Sequence, residues 1–279
     1  MNKQSPEAIE IAENYYDSAD ADNFYHAIWG GEDIHIGLYE PGDTIAEASH
    51  KTVLAMAERL YGLDHTSKVL DIGAGYGGAA RVLARKYSAL VTCLNLSKVE
   101  NDRNAQMNAD QNLAHKITVE HGSFDAIPAE PGSFDIVWSQ DAILHAPDRL
   151  KVLDEVARVL KPGGQFIFTD PMQADGLTDT DALTPILERI HLPSLGSIEF
   201  YRKALADRGF DEVRVDVLTH QLRAHYARVG EELAAQRSAL SGKISDEYAE
   251  RMLKGLQHWV DGADKGLLAW GILHFKKAG

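Results

Sequence analysis

The chain has 279 residues, of which 42 are Asp or Glu and 28 are Lys or Arg, so its formal net charge is −14. A surface that binds nucleic-acid phosphates needs concentrated Lys and Arg, so this composition disfavours a nucleic-acid partner. No apolar run approaches the roughly 20 residues that span a bilayer, and the N-terminal MNKQSPEAIE lacks the apolar part of a signal peptide, so we expect a cytoplasmic protein without a membrane partner.

The N-terminal part is predicted to be helical and to form a lid. A first helix ends near residues 15–17, and a loop rich in aromatic residues and glycine follows at residues 24–43. Thr44 and Glu47 have the spacing of a capping box, which predicts a second helix that runs to about residue 61. We assign residues 1–66 to an N-terminal helical lid.

From residue 67 the pattern changes to short apolar runs that alternate with helices. Strands that are apolar throughout and separated by helices indicate a parallel sheet that is covered on both faces. The predicted strands are residues 68–72, 89–94, 116–121, 134–139 and 165–170, and the predicted helices are residues 77–87, 98–112 and 148–160. The sequence therefore predicts a doubly wound α/β fold, with residues 67–171 as its core.

The C-terminal part is predicted to complete the sheet and to add a cap. Further strands are expected near residues 212–218 and at residues 266–275. The insertions after the fifth and sixth strands, residues 172–196 and 220–265, are long enough to cover the carboxyl ends of the strands, where such sheets bind ligands. We assign residues 172–279 to a substrate cap together with the last two strands.

A glycine motif follows the first predicted strand. The stretch VLDIGAGYGG at residues 69–78 contains a nominal G-x-G-x-x-G, which is typical of dinucleotide-binding loops. The acid expected about 20 residues later is replaced by Asn95. Asp71 lies two residues before Gly73, where its charge would repel a pyrophosphate but would favour an ammonium or a sulfonium group. The motif therefore favours an adenosine ligand other than a nicotinamide cofactor, although a turn-capping role for Asp71 stays open.

Five motifs in order resemble those of class I S-adenosylmethionine-dependent methyltransferases. They are VLDIGAGYGG, VTCLNLS, GSFDAIP, FDIVWSQDAILH and ARVLKPGGQFIFTDP, and together they cover residues 68–171. The resemblance implies a Rossmann-like sheet of seven strands whose last strand is antiparallel. It also implies S-adenosylmethionine as a co-substrate that leaves as S-adenosylhomocysteine.

The same resemblance implies which residues bind S-adenosylmethionine. Gly73, Ala74 and Gly75 would pass beneath its methionine part, and Asp71 would hold this loop and the ammonium group. The other implied contacts are Asn95 at the ribose with the adjacent Leu96, Ser123 and Phe124 at the adenine, and Gln140 at the methionine end. An amide lacks the charge of an acid, so we expect a weaker ribose contact at position 95.

Segments outside the core narrow the resemblance to the sarcosine/dimethylglycine N-methyltransferases, which make glycine betaine. These segments are residues 15–37, 139–164, 169–176 and 256–271, so the resemblance spans nearly the whole chain. It implies a small amine with a carboxylate as the methyl acceptor. Phosphoethanolamine and small-amine methyltransferases share the aromatic loop and the DAILH stretch more loosely, so glycine, phosphoethanolamine or another small amine stays an alternative. The acidic composition is consistent with a salt-rich cytosol, but an ordinary acidic surface is the favoured interpretation.

Methyl transfer to nitrogen needs a neutral amine, a fixed cation for the acceptor carboxylate and an aromatic lining for the growing positive charge. His145, after the fourth strand, is the predicted proton acceptor, and resemblance to the phosphoethanolamine enzymes implies Tyr16, or else Tyr15, as its partner. Arg189 is the predicted carboxylate anchor, because a guanidinium group matches two oxygens, and Arg202 is its competitor.

The remaining candidate residues are aromatic residues, histidines and one cysteine. The aromatic lining is predicted to be Tyr25, Trp29 and Trp138, from a pool that also contains Tyr201, Trp259 and Trp270. The 12 histidines show no spacing typical of a metal site, so we expect no metal. Cys93 lies in an apolar strand and is expected to be a buried hydrophobic residue. A module that only binds S-adenosylmethionine and a nicotinamide oxidoreductase remain two other interpretations.

Overall fold

The computed structural model describes residues 19–178, 180–190 and 192–279, and a seven-stranded sheet forms its centre. The strands are β1 (Lys68–Ile72), β2 (Leu90–Asn95), β3 (Ile117–His121), β4 (Phe134–Gln140), β5 (Leu160–Thr169), β6 (Met172–Gln173), β7 (Phe210–Val217), β8 (Leu268–Ala269) and β9 (Gly271–Lys277). The order across the sheet is β3-β2-β1-β4-β5-β9-β7, and β9 is antiparallel to both of its neighbours. The predicted doubly wound fold with an antiparallel last strand is therefore confirmed.

Helices between the first five strands lie at the predicted places, but the predicted loop at residues 24–43 is wrong over residues 24–29, which are helical because Phe24 and Trp29 pack in an apolar cluster. The helices are α1 (Ala19–Trp29), α2 (Ile45–Ala57), α3 (Gly78–Lys86), α4 (Lys98–Asp110), α5 (Arg149–Val159), α6 (Thr184–Arg189), α7 (Ile198–Ala206), α8 (Thr219–Gln236) and α9 (Asp246–Asp264). The capping box of α2 is formed, since Glu47 N–H donates to Thr44 Oγ1 and Thr44 N–H donates to Glu47 Oε2. The predicted helix that ends near residues 15–17 lies outside the described residues. Among the helices described, none is long and apolar enough to cross a membrane.

Two apolar layers cover the two faces of the sheet. On one face α5 and α7 contribute buried residues such as Val152, Val156 and Leu205. On the other face α2 and α3 bury residues such as Met56 and Leu83. Because parallel strands are buried on both faces, their side chains read as continuous apolar runs, which is why the sequence predicted these strands well. Cys93 is fully buried within the second layer, as expected.

A third apolar cluster joins the N-terminal helix to the cap. Phe24 and Trp29 of α1 pack with Val229 of α8 and Met252 of α9. The insertion between β7 and the last strands therefore consists of two helices that hold α1, and loop 30–39 passes from α1 towards the sheet. The boundaries of the three predicted segments stay a prediction.

The predicted single strand at residues 266–275 is wrong, because the structure divides it at Trp270 into β8 and β9. The backbone carbonyl of Trp270 accepts a hydrogen bond from Leu218 N–H at 2.7 Å, outside the strand pairing. A Cβ atom at Gly271 would lie 2.0 Å from the carbonyl oxygen of Asp216, so only glycine allows this close approach. As a result β8 leaves the main sheet and pairs with β6.

Candidate active site

The glycine motif forms a tight loop at the carboxyl end of β1. Gly73 N–H donates to the carbonyl oxygen of Leu94 at 2.8 Å, which ties the loop to the end of β2. Gly73 and Gly75 have φ values of 76° and 52°, in the left-handed region that favours glycine. A Cβ atom at Gly73 would lie 2.3 Å from Ala142 Cβ, and one at Gly75 would lie 3.0 Å from Ile34 Cδ1. The loop is thus enclosed between the residues that follow β4 and loop 30–39.

Asp71 ends its strand beside this loop as a buried carboxyl group. In the sheet it pairs with Cys93 on one side and Trp138 on the other. Burial raises the pKa of Asp71 to about 7, the nearby His35 opposes this rise, and the carboxylate of Asp33 adds to it. A cation bound nearby would favour the ionised form.

His35 lies among these carboxyl groups. Its Nε2 atom is 3.4 Å from Asp33 Oδ1, and its Nδ1 atom is 3.2 Å from the carbonyl oxygen of Ile36. Burial acts to lower the pKa of His35, but the carboxylates of Asp33 and Asp141 outweigh it, so the pKa is raised. The site therefore holds several acidic groups around one histidine that favours its charged form.

Asn95 ends β2 and is paired with an acid that the sequence analysis did not nominate. Its Nδ2 atom donates to Glu100 Oε2 at 2.7 Å, and Glu100 is buried. Glu100 N–H donates in turn to Ser97 Oγ, the N-cap of α4, at 3.1 Å. An acid in the first turn of a helix is favoured by the helix dipole, and the spacing of Ser97 and Glu100 in the sequence indicates a helix cap but not this contact with Asn95. Position 95 has no carboxylate, but Glu100, five residues later, places one in contact with Asn95.

The buried face of α4 is polar. Its buried residues are Glu100, Asn101, Asn104 and Asn108. Arg81 of α3 is also fully buried, and it donates to Asn108 Oδ1 at 3.2 Å and to Glu32 Oε2 at 3.1 Å. Because Glu32 belongs to loop 30–39, this network fastens that loop beside the glycine motif.

Gln140, at the end of β4, is oriented by Trp138. The indole Nε1–H of Trp138 donates to Gln140 Oε1 at 2.9 Å, which fixes which end of the amide is the oxygen. Gln140 Nε2 is buried and has no hydrogen-bond partner in the described part of the chain. Trp138 itself is fully buried in the core, so the structure does not bring it to the predicted aromatic lining. The hydrogen bond from Trp138 instead orients the Gln140 amide, so that the Nε2–H group of Gln140 points away from the core.

Asp141 is a second acid that the sequence analysis overlooked. It has a φ of 51°, which is strained for a residue other than glycine and is typical of functional sites. Its carboxylate accepts from Ile36 N–H at 2.7 Å and from Trp270 Nε1–H at 2.8 Å. Burial raises its pKa, while His35 and these donors oppose the rise. Its place directly after a parallel strand was the available signal.

A cavity lies between these strand ends and the cap. Its wall includes two aromatic pairs, Tyr25 with Trp29 and Tyr226 with Trp259, whose ring centroids are 5.1 and 5.0 Å apart. Asp141, His35 and His145 also line it. The arrangement presents π faces and a carboxylate to a small ligand, which is suitable for a positively charged nitrogen.

The structure brings three of the predicted acceptor-site residues together, since His145, Tyr25 and Trp29 line this one cavity. Tyr16 and Tyr15 lie outside the described residues. Arg189 ends α6, and its side chain is likewise outside the description.

The competing candidates from the sequence analysis lie elsewhere, with one exception. Arg202 pairs on the surface with Glu212 at 2.6 Å, away from the cavity. Trp259 lines the cavity, whereas Tyr201 and Trp270 are buried hydrogen-bond donors to Asp170 and Asp141. No group of three or more His, Cys, Asp or Glu that could hold a metal occurs within residues 19–178, 180–190 and 192–279.

Comparison with known proteins agrees with this arrangement. Residues 70–168 match the family model for a methyltransferase domain. The chain is 53% identical to the sarcosine/dimethylglycine N-methyltransferase of Halorhodospira halochloris over 97% of both chains. The chain belongs to the sarcosine/dimethylglycine N-methyltransferase family. The motif at residues 69–78 is therefore a methyltransferase loop, and the interpretation as a nicotinamide oxidoreductase is wrong.

Two further proteins show how far this family likeness extends. The dimethylglycine N-methyltransferase of Parasynechococcus marenigrum is 50% identical, and the alignment covers 98% of this chain and 97% of that protein. The crystal structure of a protein from Galdieria sulphuraria, assigned as a sarcosine dimethylglycine methyltransferase, superposes with a TM-score of 0.90 at 45% identity and covers 95% of this chain and 99% of its own. The family likeness therefore includes the cap as well as the core.

Proposed function

We propose that the protein is an S-adenosylmethionine-dependent N-methyltransferase that converts sarcosine and dimethylglycine to glycine betaine in the cytoplasm. The observation that carries this proposal is the 53% identity, over nearly the full length, to an enzyme named for these two acceptors. The cavity supports it independently, since aromatic rings, a carboxylate and His145 surround it and Ile34 lines both the cavity and the glycine loop. The acidic composition disfavours a nucleic-acid partner.

The residues around the glycine loop fit S-adenosylmethionine, which supplies a methyl group on a sulfonium. Gly73 and Gly75 allow the loop backbone to pack closely against Ala142 and Ile34, and together with Ala74 they would pass beneath the methionine part. Gln140 Nε2 is a buried donor without a partner among the described residues, and it would serve the methionine end. Asp71 would balance the ammonium charge. The remaining proposed contacts are Asn95 with Glu100 and Leu96 at the ribose, and Ser123 with Phe124 at the adenine.

The chemistry at the acceptor then follows from the cavity. His145 takes the proton from the acceptor ammonium, because only the neutral amine has a lone pair. The amine nitrogen bonds to the methyl carbon while the carbon–sulfur bond breaks, and the electron pair of that bond stays on sulfur, which becomes a neutral thioether. With sarcosine the product still carries a proton that it can lose, whereas dimethylglycine becomes a quaternary ammonium. Tyr25, Trp29 and the carboxylate of Asp141 stabilise the positive nitrogen.

The range of acceptors is the open part of this proposal. Relatives carry names with different ranges, sarcosine and dimethylglycine in one and dimethylglycine alone in another. The alternative acceptors are glycine, phosphoethanolamine or another small amine. Mass spectrometry of products from purified protein, S-adenosylmethionine and each amine in turn tests this. Betaine from sarcosine and dimethylglycine supports the proposal. Ligand binding without turnover of any amine would favour a binding module instead.

Binding of S-adenosylmethionine is expected to weaken as pH falls below 7. Burial raises the pKa of Asp71 to about 7, so the carboxyl group is increasingly protonated below that pH and its charge is lost. Affinity should fall about tenfold from pH 8 to pH 6, because binding must then release the proton. Isothermal titration with S-adenosylhomocysteine and S-adenosylmethionine measures this. Asp71→Asn should bind more weakly at pH 8 but lose this part of the pH dependence, and an unchanged dependence would exclude Asp71 as its source.

Glu100 is expected to provide the charge of the ribose contact through Asn95. Glu100→Gln should weaken binding of S-adenosylhomocysteine about five- to tenfold, since a hydrogen bond to a charged group exceeds a neutral one by roughly 1 kcal/mol. Asn95→Asp alone should weaken it at least as much, because two carboxylates would then meet at the 2.7 Å contact.

The double variant separates this role from general damage. Asn95→Asp with Glu100→Gln exchanges the acid and the amide, so it should bind better than either single variant. Calorimetry with S-adenosylhomocysteine needs no acceptor and gives the result directly. Additive losses in the double variant would show that the two residues do not act as one unit.

A further inference from the structure

His225 of α8 is fully buried at the cavity wall, and its tautomer can be assigned from its partners. Gly37 N–H donates to His225 Nδ1 at 3.2 Å, and the Tyr39 hydroxyl lies 2.9 Å from the same atom. A backbone N–H can only donate, so Nδ1 must be an acceptor and carries no proton. The proton of the neutral imidazole is therefore on Nε2.

The Nε2–H group of His225 has no hydrogen-bond partner in the described part of the chain. Burial lowers the pKa of His225 to about 3, so the ring is neutral at physiological pH and acts as a polar donor. A buried donor without an acceptor is uncommon in folded proteins and destabilises them. The proposed reaction uses His145 and Asp141 but leaves this donor without a function.

The methyl acceptor carries a carboxylate, which is a hydrogen-bond acceptor of the kind that His225 Nε2–H lacks. Among the described residues that line the cavity there is no Lys or Arg, so a neutral donor such as His225 is the candidate they offer for the acceptor carboxylate. The acidic groups Asp71 and Asp141 lie on the strand side, which suits the cationic part of the ligands. His225 belongs to the cap, and its ring is 5.3 Å from that of Trp29 and 5.7 Å from that of Tyr226 between centroids.

We propose that His225 Nε2–H donates to the carboxylate of the methyl acceptor and thereby favours amino acids over amines that lack an acid group. The inference rests on the proposed function and names a specificity-determining residue for it. Because the ring has no exposed surface, the side chains around it, which include Trp29 and Tyr226, must move for the acceptor to reach Nε2.

Two substitutions distinguish the role of His225 Nδ1 from that of His225 Nε2. His225→Asn retains an acceptor near Nδ1 for Gly37 but has no group at the position of Nε2. His225→Gln places an amide N–H near the position of Nε2 and loses the acceptor for Gly37. KM is measured for dimethylglycine and for 2-(dimethylamino)ethanol, which has no carboxylate. If the alcohol is not turned over, its inhibition constant replaces KM.

His225→Asn is expected to raise KM for dimethylglycine ten- to a hundredfold and to leave the constant for the alcohol within about twofold, because the loss concerns only the carboxylate. His225→Gln should discriminate between the two ligands better than His225→Asn. Equal changes for both ligands, or none, would overturn the inference and leave His225 as a structural support for loop 30–39. An unchanged His225→Asn beside a raised KM in Arg189→Ala would assign the carboxylate to Arg189 and would also overturn it.

A measurement on the unmodified protein keeps the test valid even if a variant fails to fold. The Nε2–H resonance of His225 in the complex with S-adenosylhomocysteine should shift when dimethylglycine is added and should not shift with the alcohol. No shift with dimethylglycine would contradict the inference. Failure of the proposed function is distinguishable, since the unmodified enzyme would then bind S-adenosylhomocysteine but would not methylate dimethylglycine.

Discussion

Replacement of Gly75 by valine is expected to abolish binding of S-adenosylmethionine and, with it, methyl transfer. Gly75 has a φ of 52°, where a β-branched side chain is strained by roughly 1–3 kcal/mol. A single added Cβ would already lie 3.0 Å from Ile34 Cδ1, and the two valine methyl groups extend further into the space over the loop. We expect affinity for S-adenosylhomocysteine to fall more than about a hundredfold, which equals about 2.7 kcal/mol. Titration calorimetry measures this without an acceptor.

A matched control separates backbone strain from loss of the ligand site. Gly132 has a φ of 66°, and a Cβ atom built there meets nothing within 4 Å. It precedes β4, at the end of the strand opposite the site. Gly132→Val should therefore lose stability in a thermal melt but keep its affinity for S-adenosylhomocysteine. Unchanged affinity in Gly75→Val would refute the assignment of this loop.

The core of the fold is predictable from the sequence because its signals are local. The strands β1, β2 and β4 are largely apolar runs, and α2 and α4 begin at polar caps, Thr44 and Ser97. Such features depend on a few neighbouring residues. The break at Trp270 was missed because it depends on Leu218, which pairs with it from more than 50 residues away. An apolar run alone does not record where one strand leaves its sheet for another.

The residues of the candidate site also fall into two groups, those with a local signal in the sequence and those that depend on distant parts of the chain. The glycine loop and Gln140 follow directly from strand ends, so their place was predictable. The roles of Asp141 and His225 depend on backbone N–H groups of loop 30–39, which are 105 and 188 residues away in the chain. Trp138 was chosen as an aromatic beside a strand end, but β4 is buried on both faces, so its side chain lies in the core. The sequence does not show how close to its end a buried strand opens to a ligand.

Asp141 shows why the loop contacts have consequences for function. Its backbone is in a strained conformation, and its carboxylate is held by donors from loop 30–39 and from Trp270. Loop 30–39 is also fastened to the core by Glu32 and Arg81. The same loop therefore contacts the glycine motif through Ile34 and lines the acceptor cavity through Ile36. Closure of one ligand site is expected to order the other.

His145→Ala is expected to lower kcat about a hundred- to a thousandfold at pH 7, within the range of general base catalysis. His145 lines the cavity beside Asp141, in the short turn that follows β4. The acceptor amine is mostly protonated near neutral pH, so the enzyme must remove its proton before the nitrogen can react. Without His145 the reaction depends on the small fraction of the bound acceptor that is neutral.

The pH dependence identifies proton acceptance as the role of His145. Each unit of pH increases the neutral fraction of the amine about tenfold while pH stays below its pKa, so the loss in His145→Ala should shrink steadily from pH 7 to pH 9. Affinity for S-adenosylhomocysteine should not change. His115→Ala, an exposed histidine near the opposite end of the sheet, is the control and should retain the kcat of the unmodified enzyme. A loss that is equally large at every pH would mean that His145 positions the acceptor, and the proton would then have to leave through water or another group.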